Sequence, residues 1–141
     1  MRGKYLVGLL AIALLDCSDL GLENSGTVVI TTNKGSYVQS EPIVFTVRNL
    51  SSPTAYIWHC NHRLGYWVQK QENGIWREFD ERYMLCAAVY LMGGQPILPG
   101  QPYGDTVQIQ TSGTYRLEMG VGWDQKSLFG HRIYSNIFLI R

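Results

Sequence analysis

The sequence predicts an all-β sandwich, on three observations: apolar residues recur with period two, the apolar runs are short, and Gly, Pro, Asn and Ser separate them. Beyond the N-terminal leader no stretch sustains a helical repeat. A length of 141 residues is the size of one domain, and a second core does not fit. With 45% apolar and only 16% charged residues the chain is not disordered. Its 12 Lys+Arg against 11 Asp+Glu lack the basic surplus that nucleic-acid binding needs, so no nucleic-acid partner is expected.

Each strand has its own pattern. Residues 27–32 open the set, and 42–49 set Ile43, Phe45 and Val47 against Val44, Thr46 and Arg48. Residues 55–60 and 66–70 follow, and 74–79 complete a hairpin whose tight turn Gly74 supplies. Further on, 103–110 set Val107 and Ile109 against Thr106, Gln108 and Gln110, after a turn at Pro99-Gly100. Residues 114–121 set Tyr115, Leu117 and Met119 against Arg116 and Glu118, and 135–140 close the chain. Seven to nine short antiparallel strands in about 115 residues is the count of an immunoglobulin-like β-sandwich, in which two sheets bury alternate residues between them. Tyr115 stands where a buried hydroxyl would bond a loop backbone, as in a tyrosine corner.

The first 26 residues read as an address rather than as fold. Arg2 and Lys4 precede a ten-residue apolar run, 6–15, which matches the charged and apolar regions of a secretory signal. The run is too short to span a bilayer, which takes about 20 residues. Leu14-Leu15-Asp16-Cys17, followed by the polar stretch 18–26, resembles the lipobox of bacterial lipoproteins, in which the cysteine becomes the lipidated first residue. Leu14 fits that pattern, whereas Asp16 stands where Gly, Ala or Ser is usual. The expected organisation is a signal peptide over 1–16, a tether over 17–26 and one domain over 27–141. Removing 1–16 takes away Arg2, Lys4 and Asp16 and leaves 10 basic and 10 acidic residues. A neutral domain has no charge-based hold on a membrane, so attachment would come through the lipid alone.

Several segments together carry a family resemblance. Tyr37-x-x-x-Glu41-Pro42 leads into Ile43-Val44-Phe45-Thr46-Val47-Arg48-Asn49-Leu50-Ser51; Cys60, Glu72-Asn73-Gly74-Ile75-Trp76 and Leu98-Pro99-Gly100-Gln101 follow; Ser112-Gly113-Thr114-Tyr115-Arg116-Leu117 and Tyr134-Ser135-Asn136-Ile137-Phe138 complete the series. In order and spacing it resembles the bacterial immunoglobulin-like domains of secreted proteins and lipoproteins, from about Thr27 to the C-terminus. The resemblance implies a non-enzymatic extracytoplasmic module of the cell envelope. The Cys-Trp-Cys spacing of antibody domains is not present.

Three cysteines in an exported chain leave one over, and assigning Cys17 to lipid leaves Cys60 and Cys86 to pair in an oxidising compartment. Such a bridge closes a loop of about 27 residues, for which chain entropy gives roughly 3.5 kcal/mol. The competing reading is a metal site on Cys60 and His62, whose i, i+2 spacing lets both side chains leave one face of a strand; His59 points to the other face, and His131 is a distant fourth candidate. No G-x-S-x-G, H-E-x-x-H, S-x-x-K or glycine-rich phosphate loop occurs, and Asp80-Glu81 lie in a charged loop, so no enzymatic activity and no cofactor are expected.

Recognition has better candidates. Trp67 is expected on an outward strand face and Trp123 in the loop 120–130, and exposed tryptophans favour protein and glycan contacts. Ser52-Pro53-Thr54-Ala55-Tyr56-Ile57-Trp58, Gly93-Gly94 and Gly122-Trp123 loosely resemble the three inhibitory loops of chagasin-like cysteine-protease inhibitors. That family has Gly where Ala55 stands, a longer motif than Gly93-Gly94, and Arg-Pro in place of Val121-Gly122. The expected function is thus a binding or structural module whose partner is a protein or glycan at the cell envelope, with protease inhibition and metal binding as alternatives.

Overall fold

The computed structural model describes residues 27–60, 63–79 and 92–141. The leader, the tether, Cys17, His62, Asp80-Glu81 and Cys86 lie outside the described residues. Twelve strands are described: β1 Val28–Thr32, β2 Ser36–Tyr37, β3 Ile43–Asn49, β4 Ala55–Cys60, β5 Arg63–Leu64, β6 Trp67–Glu72, β7 Ile75–Glu78, β8 Met92–Ile97, β9 Pro102–Val107, β10 Gly113–Gly122, β11 His131–Tyr134 and β12 Phe138–Ile140. The count exceeds the expected seven to nine because β2 and β5 are two-residue fragments and because β8 and β11 form in stretches assigned to no strand from the sequence.

The strands form two sheets. The smaller has the order β1-β3-β9, all antiparallel. The larger is organised by β10, whose first half pairs with β12 and β6 and whose second half pairs with β11 and β4. Beyond those, β7 adds to β6, β8 and β5 add to β4, and β2 runs parallel to β12. The core lies between the sheets. Ile43, Phe45 and Val47 of β3, with Val28 and Ile30 of β1, meet Tyr115, Leu117, Met119 and Val121 of β10 and Phe138 and Ile140 of β12, and all of them are buried. Period-two patterning supplies this arrangement, because alternate side chains of a strand leave opposite faces.

Turn chemistry fixes the register where the sequence is explicit. Asn73 and Gly74 both have positive φ, 51° and 80°, between the paired residues Glu72 and Ile75, which is the two-residue turn that matches strand twist. At Leu98-Pro99-Gly100-Gln101 the Gln101 N–H donates to the Leu98 carbonyl at 3.2 Å, with Gly100 at φ 73°. The Tyr115 hydroxyl donates to the Thr111 carbonyl at 2.9 Å, the bond expected of a tyrosine corner.

Two strand boundaries move from their expected places for identifiable reasons. The run 103–110 keeps its ladder only to Val107 because its partner β3 begins at Ile43 and the chain before it turns, with Ser40 at φ 62°; past that point the Ile109 carbonyl still accepts from Ser40 N at 3.0 Å. The run 135–140 is broken before Phe138 because side chains take over the backbone's partners. The Ser135 hydroxyl accepts from Leu117 N at 2.9 Å, and the Asn136 side-chain oxygen Oδ1 accepts from Thr32 N at 2.8 Å. Asn49, formally a glycosylation acceptor, is fully buried: its amide donates to the carbonyls of Pro53 and Ile97 at 2.7 and 3.0 Å.

Tyr115→Phe removes the corner bond while leaving the ring in the core. Urea unfolding is expected to show a loss of about 1 kcal/mol at unchanged m-value. A variant as stable as the parent would show that the corner contributes nothing.

Candidate functional site

The outer face of the larger sheet carries the densest arrangement of polar and aromatic side chains. It is built on β10, whose outward positions are Arg116, Glu118, Gly120 and Gly122. Pairing sets Arg116 beside Gln69 of β6, Glu118 beside Trp67 of β6 and Tyr134 of β11, and Gly120 beside Arg132 of β11. A strand face turned away from the core is normally wet, yet Glu118 is only 2% exposed. Its carboxylate accepts from the Gln69 side-chain amide on one oxygen and from the Arg132 guanidinium on the other. A buried carboxylate needs such partners, because an unpaired one would lose most of its hydration without return.

Gln69 relays this network to a second guanidinium. Its carbonyl oxygen accepts from Arg116 Nε at 2.7 Å, so Arg116, Gln69, Glu118 and Arg132 form one chain across β10, β6 and β11. The Arg116 guanidinium lies 3.9 Å from the ring centre of Tyr134 and 4.4 Å from that of Trp76 on β7. Both distances are well inside the range over which a ring's negative face attracts a cation. Arg132 extends the pattern at 6.0 Å from Trp67.

Beyond Arg132 the face becomes aromatic. Trp67 and Trp58 of β4 stack with ring centres 6.2 Å apart and planes 22° from parallel. Trp58 lies flat because Gly65 leaves the room: a Cβ there would stand 1.7 Å from the indole. Phe129 completes a three-ring cluster, 5.9 Å from Trp67 and 6.3 Å from Trp58, and remains 55% exposed. It belongs to the connection 123–130, in which the Asp124 carboxylate accepts from Lys126 N at 2.7 Å and Ser127 N at 2.9 Å. Those bonds, the Lys126 N–H first, hold the Asp124 carboxyl below its usual range.

Of the residues singled out from sequence, Trp67 occupies this face, half-buried in the ring cluster. Trp123 instead packs against the core between the sheets, so the two tryptophans do not share a surface in the way their sequence positions suggested. The three segments likened to inhibitory loops are not three loops: Gly93-Gly94 lie within β8, paired with His59 and Trp58, and Ala55 to Trp58 lie within β4. Among the described residues no group of three His, Cys, Asp or Glu side chains is placed to hold a metal ion. Of the alternative ligands, His62 and the Cys60 side chain lie outside the description.

Sequence reading passed over Trp58, Trp76, Arg116, Glu118, Arg132 and Tyr134 as components of one site. The available signal was the pair of charges at outward positions of the predicted strand 114–121, a place where short polar residues would have served. No family model matches the chain, and no curated protein matches it.

The stacked guanidinium is open to test. Arg116→Lys keeps the charge but loses the planar stack on Trp76 and Tyr134, and is expected to cost about 1–2 kcal/mol in chemical denaturation. An exposed charge swap normally stays within about 0.5 kcal/mol, and a value that small would mean the ladder carries no stability.

Proposed function

We propose that the chain is a non-enzymatic, extracytoplasmic binding module of immunoglobulin type, tethered to the cell envelope through Cys17, whose contact surface is the outer face of the larger sheet. The observation that carries this reading is the Trp58–Trp67–Phe129 cluster beside the Arg116–Gln69–Glu118–Arg132 network, set on paired strands. Tryptophan, tyrosine and arginine are the side chains that dominate contact energies, since they bring large area and directed hydrogen bonds at small entropic cost. Tyr134, 43% exposed, offers the face to a partner, and the network beneath holds its neighbours in place. The partner class is a protein or glycan of the envelope. The charged and apolar regions of the leader, and the cysteine that follows them, support the location.

A photo-reactive phenylalanine analogue placed in intact cells tests the surface. At position 134 it is expected to give covalent adducts, and at position 44, on the outer face of the smaller sheet, none. Equal labelling at both positions, or none at 134, would sink the assignment. For the tether, Cys17→Ser is expected to move the chain from the membrane fraction to the soluble one, and an unchanged distribution counts against lipidation.

The cysteine pair has a separate test by mass and thiol counting of the exported chain. Cys60 and Cys86 are expected to give a mass two protons light with neither thiol reactive until reductant is added. Two free thiols with one retained zinc or copper ion would favour the metal reading instead.

A further inference from the structure

We propose that residues 124–130, between Trp123 packed on the core and β11, form a strap over the Trp58–Trp67 pair, latched by Phe129, that opens without unfolding the domain and thereby uncovers the pair for an aromatic side chain of a protein partner. The strap comes down close to the backbone of the sheet at three glycines. A Cβ on Gly120 would stand 2.7 Å from the Phe129 ring and 2.9 Å from the Leu128 carbonyl; one on Gly94 would stand 2.9 Å from the Leu128 side chain; one on Gly122 would stand 2.2 Å from the Ser127 carbonyl. Three glycines, two on β10 and one on β8, the strands that flank β4, thus make the seat.

What holds the strap in that seat is slight. Among the described residues its hydrogen bonds join it to itself: Asp124 to Lys126 and Ser127, and Gly130 N to the Ser127 carbonyl at 3.1 Å. Contact with the sheet comes from Leu128 and from Phe129, which stacks on neither indole but meets both at tilted angles, 47° and 56°. A segment with internal hydrogen bonds, few apolar anchors and an exposed latch belongs to the low-stability end of a structure. The anchors at its ends are firm by contrast, since Val121 pairs with both Ile57 and His131.

The class of partner follows from the present occupant. The shelf of two stacked indoles is filled by a phenyl ring of this chain, so the group that takes its place is another aromatic ring. Phe129 then acts as an internal competitor, and the apparent affinity of the face falls with the fraction of chains in which the strap is closed. This consequence rests on the binding role proposed above, whereas the opening does not, and the experiment reads the opening alone.

Trypsin cleavage of the full chain after Lys126, compared with cleavage after Arg116 in β10, separates strap opening from unfolding. In the parent the Lys126 bond is expected to be cut faster than the Arg116 bond. Phe129→Ala is expected to raise the Lys126 rate about tenfold and leave the Arg116 rate unchanged. Gly120→Ala, which puts a methyl where the Phe129 ring lies, should give the same selective rise. Rates on a synthetic 122–132 peptide with and without the Phe129 change correct for trypsin's own preference. One common rate for both bonds in the parent, or no corrected acceleration in either variant, overturns the proposal. Failure of the envelope-binding role would leave these ratios as they are.

Discussion

The molecule depends on β10 being withdrawn from water on both faces. Inward, Tyr115, Leu117, Met119 and Val121 are buried against β1, β3 and β12, an arrangement that hydrophobic burial alone explains. Outward, the same strand carries a carboxylate that is almost as buried, and there apolar burial explains nothing. Glu118 is tolerated because Gln69 and Arg132 satisfy it, and Arg132 can reach it because β11 returns directly alongside. The two faces are therefore coupled through one backbone: a shift of register in the β10–β11 hairpin would misplace core and network together.

The Arg116 stack serves the same end by different means. A guanidinium between two rings gives up little hydration, because it is weakly hydrated to begin with, and it keeps its edge for Gln69. Trp76 comes from a hairpin fixed by Asn73-Gly74, and Tyr134 from the strand after the strap. Neither ring is near Arg116 in the chain. The ladder thus ties two hairpins to the central strand from the solvent side, while the corner made by Tyr115 and Thr111 ties the strand's entrance from within.

The sequence made one half of this architecture legible. Alternation located β3 and the inward residues of β10 because apolar periodicity and burial share a cause, and Asn73-Gly74 and Pro99-Gly100 announced turns because only certain residues accept those dihedrals. What alternation cannot carry is the identity of the neighbour across a ladder. Gln69, Glu118 and Arg132 are spread over 64 positions of sequence and meet only through pairing. Gly93-Gly94 illustrates the converse difficulty: two glycines in a row suggest a turn, whereas here the missing side chain of Gly94 lets Leu128 lie against the strand. Trp123 and Trp67 looked equivalent in composition, and only the end of β10 decided that Trp123 would turn to the core.

The glycines of the outer face connect the static and the movable parts. Gly65 lets Trp58 lie flat, and so sets the plane on which Trp67 stacks; Gly94, Gly120 and Gly122 let the strap come down beside that plane. A side chain at any of the last three would hold the strap off and leave the indoles bare. Side chains at those positions would also have given the sheet more apolar area to bury, as strand residues ordinarily do. The chain forgoes that area on the stretch where the connection after β10 must lie close without being hydrogen-bonded down. Close approach without anchoring is the combination that a removable cover requires, and the neighbouring Glu118–Arg132 pair keeps the surface beneath it rigid when the cover lifts.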